Sequence, residues 1–332
     1  MKETKLNIGI VGLGYFGPNW LRNVKNNAKY DLSWICDLNA KRLEKFSSVY
    51  NLDKDSIFTD VDKAIDFKNP DLVLIATPPS THLALGEKLI NKKINLIIEK
   101  PMGLNIAETE KLVNLSSSLG THLFIDNTYI FTPVARKIKQ IINSGEIGDL
   151  QFIFSSRLNL GLIQKDVDVI RDLAIHDISL LDFFLEKLPL SIHARAVTHK
   201  PATVNSTASI DLSYENGLLA QLGLSWNSPV KVRSMIISGS KKSILWDDTN
   251  QTEKLKLFDA SANFESNDPN RHISYTLGDT TTFSLENQEA ISVELDHIYD
   301  VIVNKVQALN GKEHILRVSK VLESCESSLI NG

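Results

Sequence analysis

Short apolar runs alternate with amphipathic stretches over the first 126 residues of the chain. The runs that predict strands are Leu6–Val11, Leu32–Cys36, Ile57–Thr59, Leu72–Thr77, Ile94–Ile98 and His122–Ile125. Between several of them apolar residues recur at helical spacing, as Leu43, Phe46 and Val49 do. This alternation is typical of strand–helix–strand units around a parallel sheet that is buried on both faces. We therefore expect residues 1–126 to form a doubly wound α/β domain.

The pattern changes near residue 150 to longer β-type runs joined by turn signals. Thr207–Tyr214 and Leu218–Trp226 lie on either side of Asn216-Gly217, and Asn-Gly is a strong hairpin signal. Apolar residues at helical spacing then predict two closing helices, Val293–Val306 and Ile315–Leu329. We expect residues 127–332 to form a second α/β domain with a mainly antiparallel sheet.

Composition and charge narrow the class of protein. The 332 residues suffice for about two domains. With 42% hydrophobic and 23% charged residues, disordered and disulfide-scaffold classes are excluded. The net charge is −4 without a run of five like charges, which indicates a small-molecule partner rather than nucleic acid or a membrane surface. Two cysteines, no targeting segment and no apolar run near the ~18 residues of a membrane span predict a cytoplasmic protein without disulfides.

Gly12-Leu13-Gly14-Tyr15-Phe16-Gly17 is a G-x-G-x-x-G motif between the first predicted strand and a helical stretch. In that setting Gly12 makes the tight turn, Gly14 lets the backbone approach a pyrophosphate, and Gly17 lets the helix pack on the strand. Free N–H groups at the helix start bind the anion. Tyr15 and Phe16 are expected to contact the same ligand. The motif predicts a dinucleotide site, and a glycine turn without a ligand is the alternative.

Asp37 follows Gly17 by 20 residues, at the end of the second predicted strand. An acidic side chain there accepts hydrogen bonds from the adenosine ribose and repels a 2′-phosphate, which predicts NAD in preference to NADP. Arg42 is close in sequence and could instead bind such a phosphate. A further alternative is that Asp37 only caps the helix that starts near Ala40.

Two further segments carry candidate chemistry. Lys100 lies at the carboxyl end of the fifth strand, the edge where open α/β sheets bind ligands. The alternative is that Lys100 is a solvated charge in a loop.

Asp172 and His176 are four residues apart, so on a helix they share a face. A histidine oriented by a carboxylate takes a proton near neutral pH. A structural cap pair or half of a metal site fits these two residues equally well. No glutamate or cysteine at ligand spacing completes a zinc site, so we expect no metal.

The order and spacing of these motifs resemble one known family. The glycine motif is followed by Ala76-Thr77-Pro78-Pro79, by Glu99-Lys100-Pro101 and by Asp172-x-x-x-His176. Together they resemble the family of glucose–fructose oxidoreductase, inositol dehydrogenase and rhizopine catabolism proteins (Gfo/Idh/MocA), over essentially the whole chain. The resemblance implies an N-terminal Rossmann domain and a C-terminal α/β domain whose large open sheet forms homodimer or homotetramer contacts. It also implies sugars, inositols or nucleotide-linked sugars as substrates.

The resemblance implies roles for individual residues as well. Lys100 would bind the reacting hydroxyl, His176 would be the general acid/base, and Asp172 would position the substrate or tune that pair. Further residues expected to contact the cofactor are Thr77, Pro78, His82, Glu99 and Lys100. Residues expected to contact the substrate are Lys100, Asn127, Tyr129, Arg157, Asp172 and His176.

One departure from the family lies just before Asp172. Many members carry a glycine-rich tract there, whereas this chain reads Lys165-Asp166-Val167-Asp168-Val169-Ile170-Arg171, so the resemblance does not define the substrate. The opening Gly14-Tyr15-Phe16-Gly17-Pro18-Asn19 resembles the nucleotide-sugar and surface-polysaccharide branch of the family.

We expect an NAD-dependent oxidoreductase that transfers a hydride between a sugar or nucleotide sugar and nicotinamide. The alternatives are a redox-assisted glycoside hydrolase that retains NAD and a non-catalytic dinucleotide sensor.

Overall fold

The chain divides into two compact units, each with its own sheet. The computed structural model describes residues 4–161, 167–200, 202–264 and 273–330. Unit 1 takes in the described residues up to 131 together with 288–319, and unit 2 takes in 132–287 and the described residues from 320 onward. The expected second domain, 127–332, thus differs from unit 2 by the segments 127–131 and 288–319, both of which belong to unit 1.

The sheet of unit 1 has six parallel strands in the described residues. They are β1 (Leu6–Val11), β2 (Tyr30–Cys36), β3 (Ile57–Phe58), β4 (Leu72–Ile75), β5 (Asn95–Glu99) and β6 (Leu123–Asp126). Their order across the sheet is β3-β2-β1-β4-β5-β6, which is the doubly wound order with a switch point between β1 and β4. The predicted fold class of the first domain is confirmed.

Helices cover both faces of this sheet. They are α1 (Gly17–Asn26), α2 (Ala40–Tyr50), α3 (Val61–Phe67), α4 (His82–Asn91) and α5 (Ile106–Leu119). One buried cluster includes Trp20 and Leu21 of α1, and the other includes Leu89 of α4 and Leu112 of α5. Because both faces are covered, β4 is apolar at every position, as is typical of a central parallel strand.

Unit 2 is built on an eight-stranded sheet, counted over the described ranges. Its elements are α6 (Pro133–Asn143), β7 (Leu150–Leu160), a π-helical segment (Ile170–Ala174), α7 (Ile175–Leu185), β8 (Ser191–Val197), β9 (Thr207–Ser213), β10 (Leu219–Ser225), β11 (Asn227–Gly239), β12 (Ser243–Asp247), β13 (Leu255–Phe264) and β14 (Ile273–Thr282). The order is β14-β13-β12-β11-β7-β10-β9-β8, with β7 and β10 parallel and the other pairs antiparallel. The predicted Asn216-Gly217 turn joins β9 and β10 with both residues at positive φ. The mainly antiparallel sheet is confirmed.

The two closing helices also form, as α8 (Ala290–Asn304) and α9 (Lys312–Ile330). Ile291, Leu295 and Ile298 of α8 belong to the same buried cluster as Trp20. This packing explains why the segment 288–319 belongs to unit 1, although it follows the second sheet in the sequence. Of the helices in the described ranges, none is both long and apolar enough to span a membrane.

Candidate active site

The glycine loop between β1 and α1 has the geometry that the sequence predicts. Gly12 has φ +96°, and a Cβ atom there would lie 2.4 Å from the carbonyl oxygen of Ala76. A Cβ atom on Gly17 would lie 2.1 Å from the carbonyl oxygen of Gly12. A Cβ atom on Gly14, by contrast, would meet only the Arg42 guanidinium at 4.0 Å. The loop therefore turns tightly and leaves open space at Gly14, which fits the close approach of a dinucleotide pyrophosphate.

The Asp37 carboxylate accepts hydrogen bonds from the glycine loop and from the segment just before α2. Its Oδ2 accepts a hydrogen bond from the Leu13 N–H at 2.6 Å, and its Oδ1 accepts one from the Asn39 N–H at 2.7 Å. The Arg42 Nη1 lies 3.7 Å from Oδ2. The cap of α2 is Asn39, whose side chain accepts from the Lys41 and Arg42 N–H groups, so Asp37 is not the cap of that helix. Each carboxylate oxygen retains a lone pair for a ribose hydroxyl.

Two aromatic residues of the loop differ in their surroundings. The side chain of Tyr15 is 95% exposed, whereas Phe16 packs against the buried cluster of α1. Tyr15 is therefore accessible to a ligand at the loop, and Phe16 is partly committed to the core. Their predicted contacts with the cofactor stay predictions.

The segment after β4 is held by His82, which is fully buried. Its Nε2 lies 2.8 Å from the Thr77 carbonyl oxygen and its Nδ1 lies 3.0 Å from the Pro101 carbonyl oxygen. Burial lowers the pKa of His82 below its usual value. In the structure His82 thus joins the two loops that follow β4 and β5. Its predicted contact with the cofactor, like those of Thr77 and Pro78, stays a prediction.

Lys100 follows Glu99, the last residue of β5, and Glu99 is the register partner of Asp126 at the end of β6. Asp126 is 2% exposed and accepts a hydrogen bond from the Trp20 Nε1 at 2.7 Å. Burial raises the pKa of the Asp126 carboxyl, while the positive charge of Lys100 opposes that shift. Asp126 is not among the site residues predicted from the sequence. The signal available was an acidic residue at the carboxyl end of a strand otherwise made of apolar residues.

Asn127 and Tyr129 follow β6. Asn127 is 1% exposed, and its Nδ2 lies 2.9 Å from the Nε2 of His314 in α9. Tyr129 lies in the short helical turn Thr128–Phe131 and is partly exposed. Asn127 therefore packs within unit 1, and the predicted contacts of both residues with the substrate stay predictions.

Asp172 and His176 lie on two consecutive helical segments of different type. Asp172 is inside the π-helical segment, and His176 is in the first turn of α7. The Asp172 Oδ2 accepts a hydrogen bond from the Trp226 Nε1 at 3.2 Å. π-Helical turns frequently occur at functional sites. The expected helix is thus present, but its first part is not α-helical.

Arg157, a predicted substrate ligand, forms a buried ion pair in unit 2. Its Nε and Nη2 donate to the two carboxylate oxygens of Asp177 at 3.1 and 3.0 Å, and the Ser155 Oγ donates to the same carboxylate at 3.0 Å. Arg157 is 5% exposed and Asp177 is 1% exposed. This pair joins β7 to α7 directly next to His176. The predicted contact of Arg157 with the substrate stays a prediction.

Over the described ranges no three His, Cys, Asp or Glu side chains come together in a way that could hold a metal ion.

Both halves of the chain match models of known domains. Residues 6–127 match an oxidoreductase family with an NAD-binding Rossmann fold. Residues 135–245 match the Gfo/Idh/MocA C-terminal domain.

Two individual relatives share about a quarter of their residues with this chain over the matched regions. UDP-N-acetylglucosamine 3-dehydrogenase of Acidithiobacillus ferrooxidans is 27% identical over 221 residues, which cover 65% of this chain and 66% of that protein. Inositol 2-dehydrogenase of Rhizobium meliloti is 24% identical over 193 residues, 57% of each chain. The match thus spans less than two thirds of the length of these two relatives.

Solved structures share the fold over nearly the whole chain. An oxidoreductase from Agrobacterium radiobacter in complex with NAD+, L-tartaric acid and magnesium has a TM-score of 0.84 and 20% identity, covering 99% of this chain and 97% of that one. UDP-N-acetylglucosamine 3-dehydrogenase from Acidithiobacillus ferrooxidans has a TM-score of 0.83 and 21% identity, covering 98% of each chain. At these identities the likeness establishes the fold.

Proposed function

The chain belongs to the Gfo/Idh/MocA family of oxidoreductases, and we propose that it is an NAD-dependent dehydrogenase of a sugar or nucleotide sugar. The observation that carries the proposal is the glycine loop, which is open at Gly14 and held by Asp37. The relatives named as dehydrogenases of UDP-N-acetylglucosamine and of inositol support a substrate with ring hydroxyls.

In this proposal, side chains of the protein bind the substrate and accept the proton of its reacting hydroxyl. The nicotinamide, when bound, supplies the acceptor for a hydride from the carbon that carries the reacting hydroxyl. Lys100 binds that hydroxyl and stabilises negative charge on its oxygen. His176 takes the hydroxyl proton, which a histidine can do near neutral pH. Asp172, held by Trp226, orients the substrate or the histidine.

Titration with NAD and NADP, followed by the absorbance of the reduced nicotinamide, tests this function. The panel includes free sugars, inositols and nucleotide sugars. We expect NAD to bind and to be reduced in the presence of one substrate class. NAD that binds but is never reduced would contradict the dehydrogenase and favour the redox-assisted hydrolase or the sensor. A protein without affinity for either dinucleotide would contradict all three functions.

Asp37→Ser is predicted to weaken NAD binding by about 10- to 100-fold, because a hydrogen bond to a charged group contributes about 1.5–3 kcal/mol. Binding of NADP should change less, so the preference for NAD falls. The loop loses its Leu13 contact at the same time. Dissociation constants for both cofactors measure the effect. The control is Asp31→Ser, which removes an exposed aspartate of β2, the strand that ends just before Asp37; the Asp31 side chain pairs with Lys5. Equal effects of the two substitutions would contradict the role of Asp37.

The sheet of unit 2 is proposed as the contact of a homodimer or homotetramer. Phe154 and Ile236 are register partners on neighbouring strands and are 42% and 41% exposed. The Phe152 and Phe154 ring centroids lie 4.8 Å apart, and Leu219 is the register partner of Phe152. Exposed apolar side chains in one patch are typical of an association surface.

Phe154→Asp is predicted to dissociate this oligomer, because a charge would be buried without a partner at the contact. Light scattering coupled to size-exclusion chromatography gives the mass in solution. Val49→Asp, which changes an exposed apolar residue of α2 in unit 1, is the control and should leave the mass unchanged. A wild-type protein that elutes with the mass of one chain would contradict the proposal.

We also propose a reducing compartment, the cytoplasm, as the location of the protein. Cys36 and Cys325 are both buried free thiols. Burial raises the pKa of each thiol to about 12, so neither is a reactive thiolate at neutral pH.

A further inference from the structure

Buried carboxyl groups meet on one face of the unit 1 sheet. Glu99 and Asp126 end neighbouring strands in register. Asp126 contacts Trp20 of α1, and α8 packs into the same buried cluster as Trp20. Glu294 of α8 lies in that packed region and is fully buried. Neither Asp126 nor Glu294 has a role in the chemistry assigned above.

Glu294 has few hydrogen bonds for a buried acid. Its Oε1 accepts from the Asn310 Nδ2 at 2.8 Å, and that same amide donates to the Ile125 carbonyl oxygen at 2.9 Å. Asn310 thus ties Glu294 to the strand residue directly before Asp126. Within the described ranges no donor reaches the Oε2 of Glu294. A hydrogen bond between the Glu294 and Asp126 carboxyls needs a proton on one of them, and this bond favours the neutral form of Glu294. The negative charge of an ionised carboxylate in this position would be poorly compensated by its surroundings. A neutral carboxyl group carries no charge, so it costs less free energy to bury.

Asp126 is better equipped to carry a negative charge. Its Oδ2 accepts from the Trp20 Nε1 at 2.7 Å, and its Oδ1 accepts from the Thr128 Oγ at 2.6 Å. Donors on both oxygens stabilise the ionised form, and the positive charge of Lys100 acts in the same direction.

The charges around Glu294 favour its neutral form. Burial raises the pKa of Glu294 well above its usual range, and the negative charges of Asp126 and Glu99 raise it further. Close carboxylates do not both ionise readily, because each negative charge opposes the other. The other titratable groups on α8 are Asp296, His297, Tyr299 and Asp300. Those on segments next to it include Arg22, Lys25, Lys29, Tyr30, Tyr129 and His314, and Lys29 pairs with Asp296 at 3.1 Å. Of these, Arg22 is paired with Glu289 at the start of α8.

We propose that Glu294 remains protonated at neutral pH and leaves Asp126 as the ionised acid that acts on Lys100. Glu294 is then a positioning residue, because it acts on the lysine through the charge of Asp126. The inference rests on the proposed function for the role of Lys100. The protonation of Glu294 itself can be measured without any substrate.

Infrared spectroscopy of the whole protein at pH 7 tests the protonation directly. We expect the carbonyl stretch of a neutral carboxylic acid in the wild type, its loss in Glu294→Gln and its persistence in Glu289→Gln. The second variant removes a partly exposed carboxylate from the same helix start. A band that persists in Glu294→Gln, or that is absent from the wild type, would overturn the proposal.

Stability against pH provides a second test without activity. Above its ordinary pKa of 4.5 the unfolded Glu294 releases the proton that the folded protein keeps, so folding of the wild type weakens as pH rises. Glutamine has no such proton. The ratio of wild-type to Glu294→Gln unfolding constants should therefore rise by up to about tenfold per pH unit between about pH 5 and 7. A constant ratio would overturn the proposal.

Steady-state kinetics test the link to Lys100. Asp126→Asn removes the negative charge that acts on the lysine, so kcat and kcat/KM should fall together by about tenfold. Glu294→Gln, which mimics the neutral acid, should keep the wild-type kcat. A Glu294→Gln enzyme that loses as much kcat as Asp126→Asn would overturn the inference. If no substrate is turned over, the proposed function fails, and the infrared and stability measurements still decide the state of Glu294.

Discussion

Lys100→Met is expected to lower kcat by about 100-fold or more, the range seen when a proton-transfer or charge-stabilising group is removed. Methionine keeps much of the side-chain length and removes the ammonium group. The loss should appear in kcat, because the charge acts on the hydroxyl as it ionises. Steady-state kinetics with NAD and the identified substrate measure it.

Two matched variants define what the lysine contributes. Lys100→Arg keeps a positive charge and should retain more activity than Lys100→Met. Lys88→Met removes a surface lysine that pairs with Asp62 in the same unit and should have wild-type kinetics. A Lys100→Met enzyme with unchanged kcat and only a raised KM would show that the lysine binds the substrate without taking part in the reaction.

Arg157→Met is expected to destabilise unit 2 by about 3–5 kcal/mol, because it leaves the Asp177 carboxylate buried without its cation. The pair is bidentate, and both side chains are almost completely buried. Denaturant unfolding with a probe in unit 2, such as the fluorescence of Trp226, measures the change. Activity should fall as well, since Asp177 directly follows His176 on α7.

Arg157→Met combined with Asp177→Leu is the informative control. Replacing both partners by apolar residues removes the uncompensated charge, so the double variant should be more stable than Arg157→Met alone. Ser155 then still has the Ser234 carbonyl oxygen within 3.4 Å. Lys187→Met breaks an exposed pair with Glu215 and should leave stability nearly unchanged. If Arg157→Met were as mild as Lys187→Met, the buried pair would not hold α7 on the sheet.

The local pattern of apolar and turn-forming residues was sufficient to predict most of the fold. The apolar runs predicted the strands of unit 1 within a few residues, because a central parallel strand is apolar at every position. The glycine motif predicted the turn at Gly12. Only glycine fits there, because φ is +96° and a Cβ atom would lie 2.4 Å from a backbone oxygen. The Asn216-Gly217 hairpin was predicted for the same local reason.

The partners of the polar side chains were not predictable in this way. Asp37 accepts the Leu13 N–H across the β1–β2 pair. The ion pair of Arg157 with Asp177 joins a strand to a helix. Glu294 and Asp126 interact although they are far apart in the sequence. The π-helical turn at Asp172 is likewise absent from the spacing of apolar residues.

The sequence by itself determined the two types of sheet, the dinucleotide loop and the family, because these depend on periodicity and on residues close together in the chain. Only the tertiary structure decided that the segment 288–319 belongs to unit 1, and which acids are paired, capped or buried. The reason is physical: the cost of burying a charge depends on the groups around it, and those groups come from distant parts of the chain.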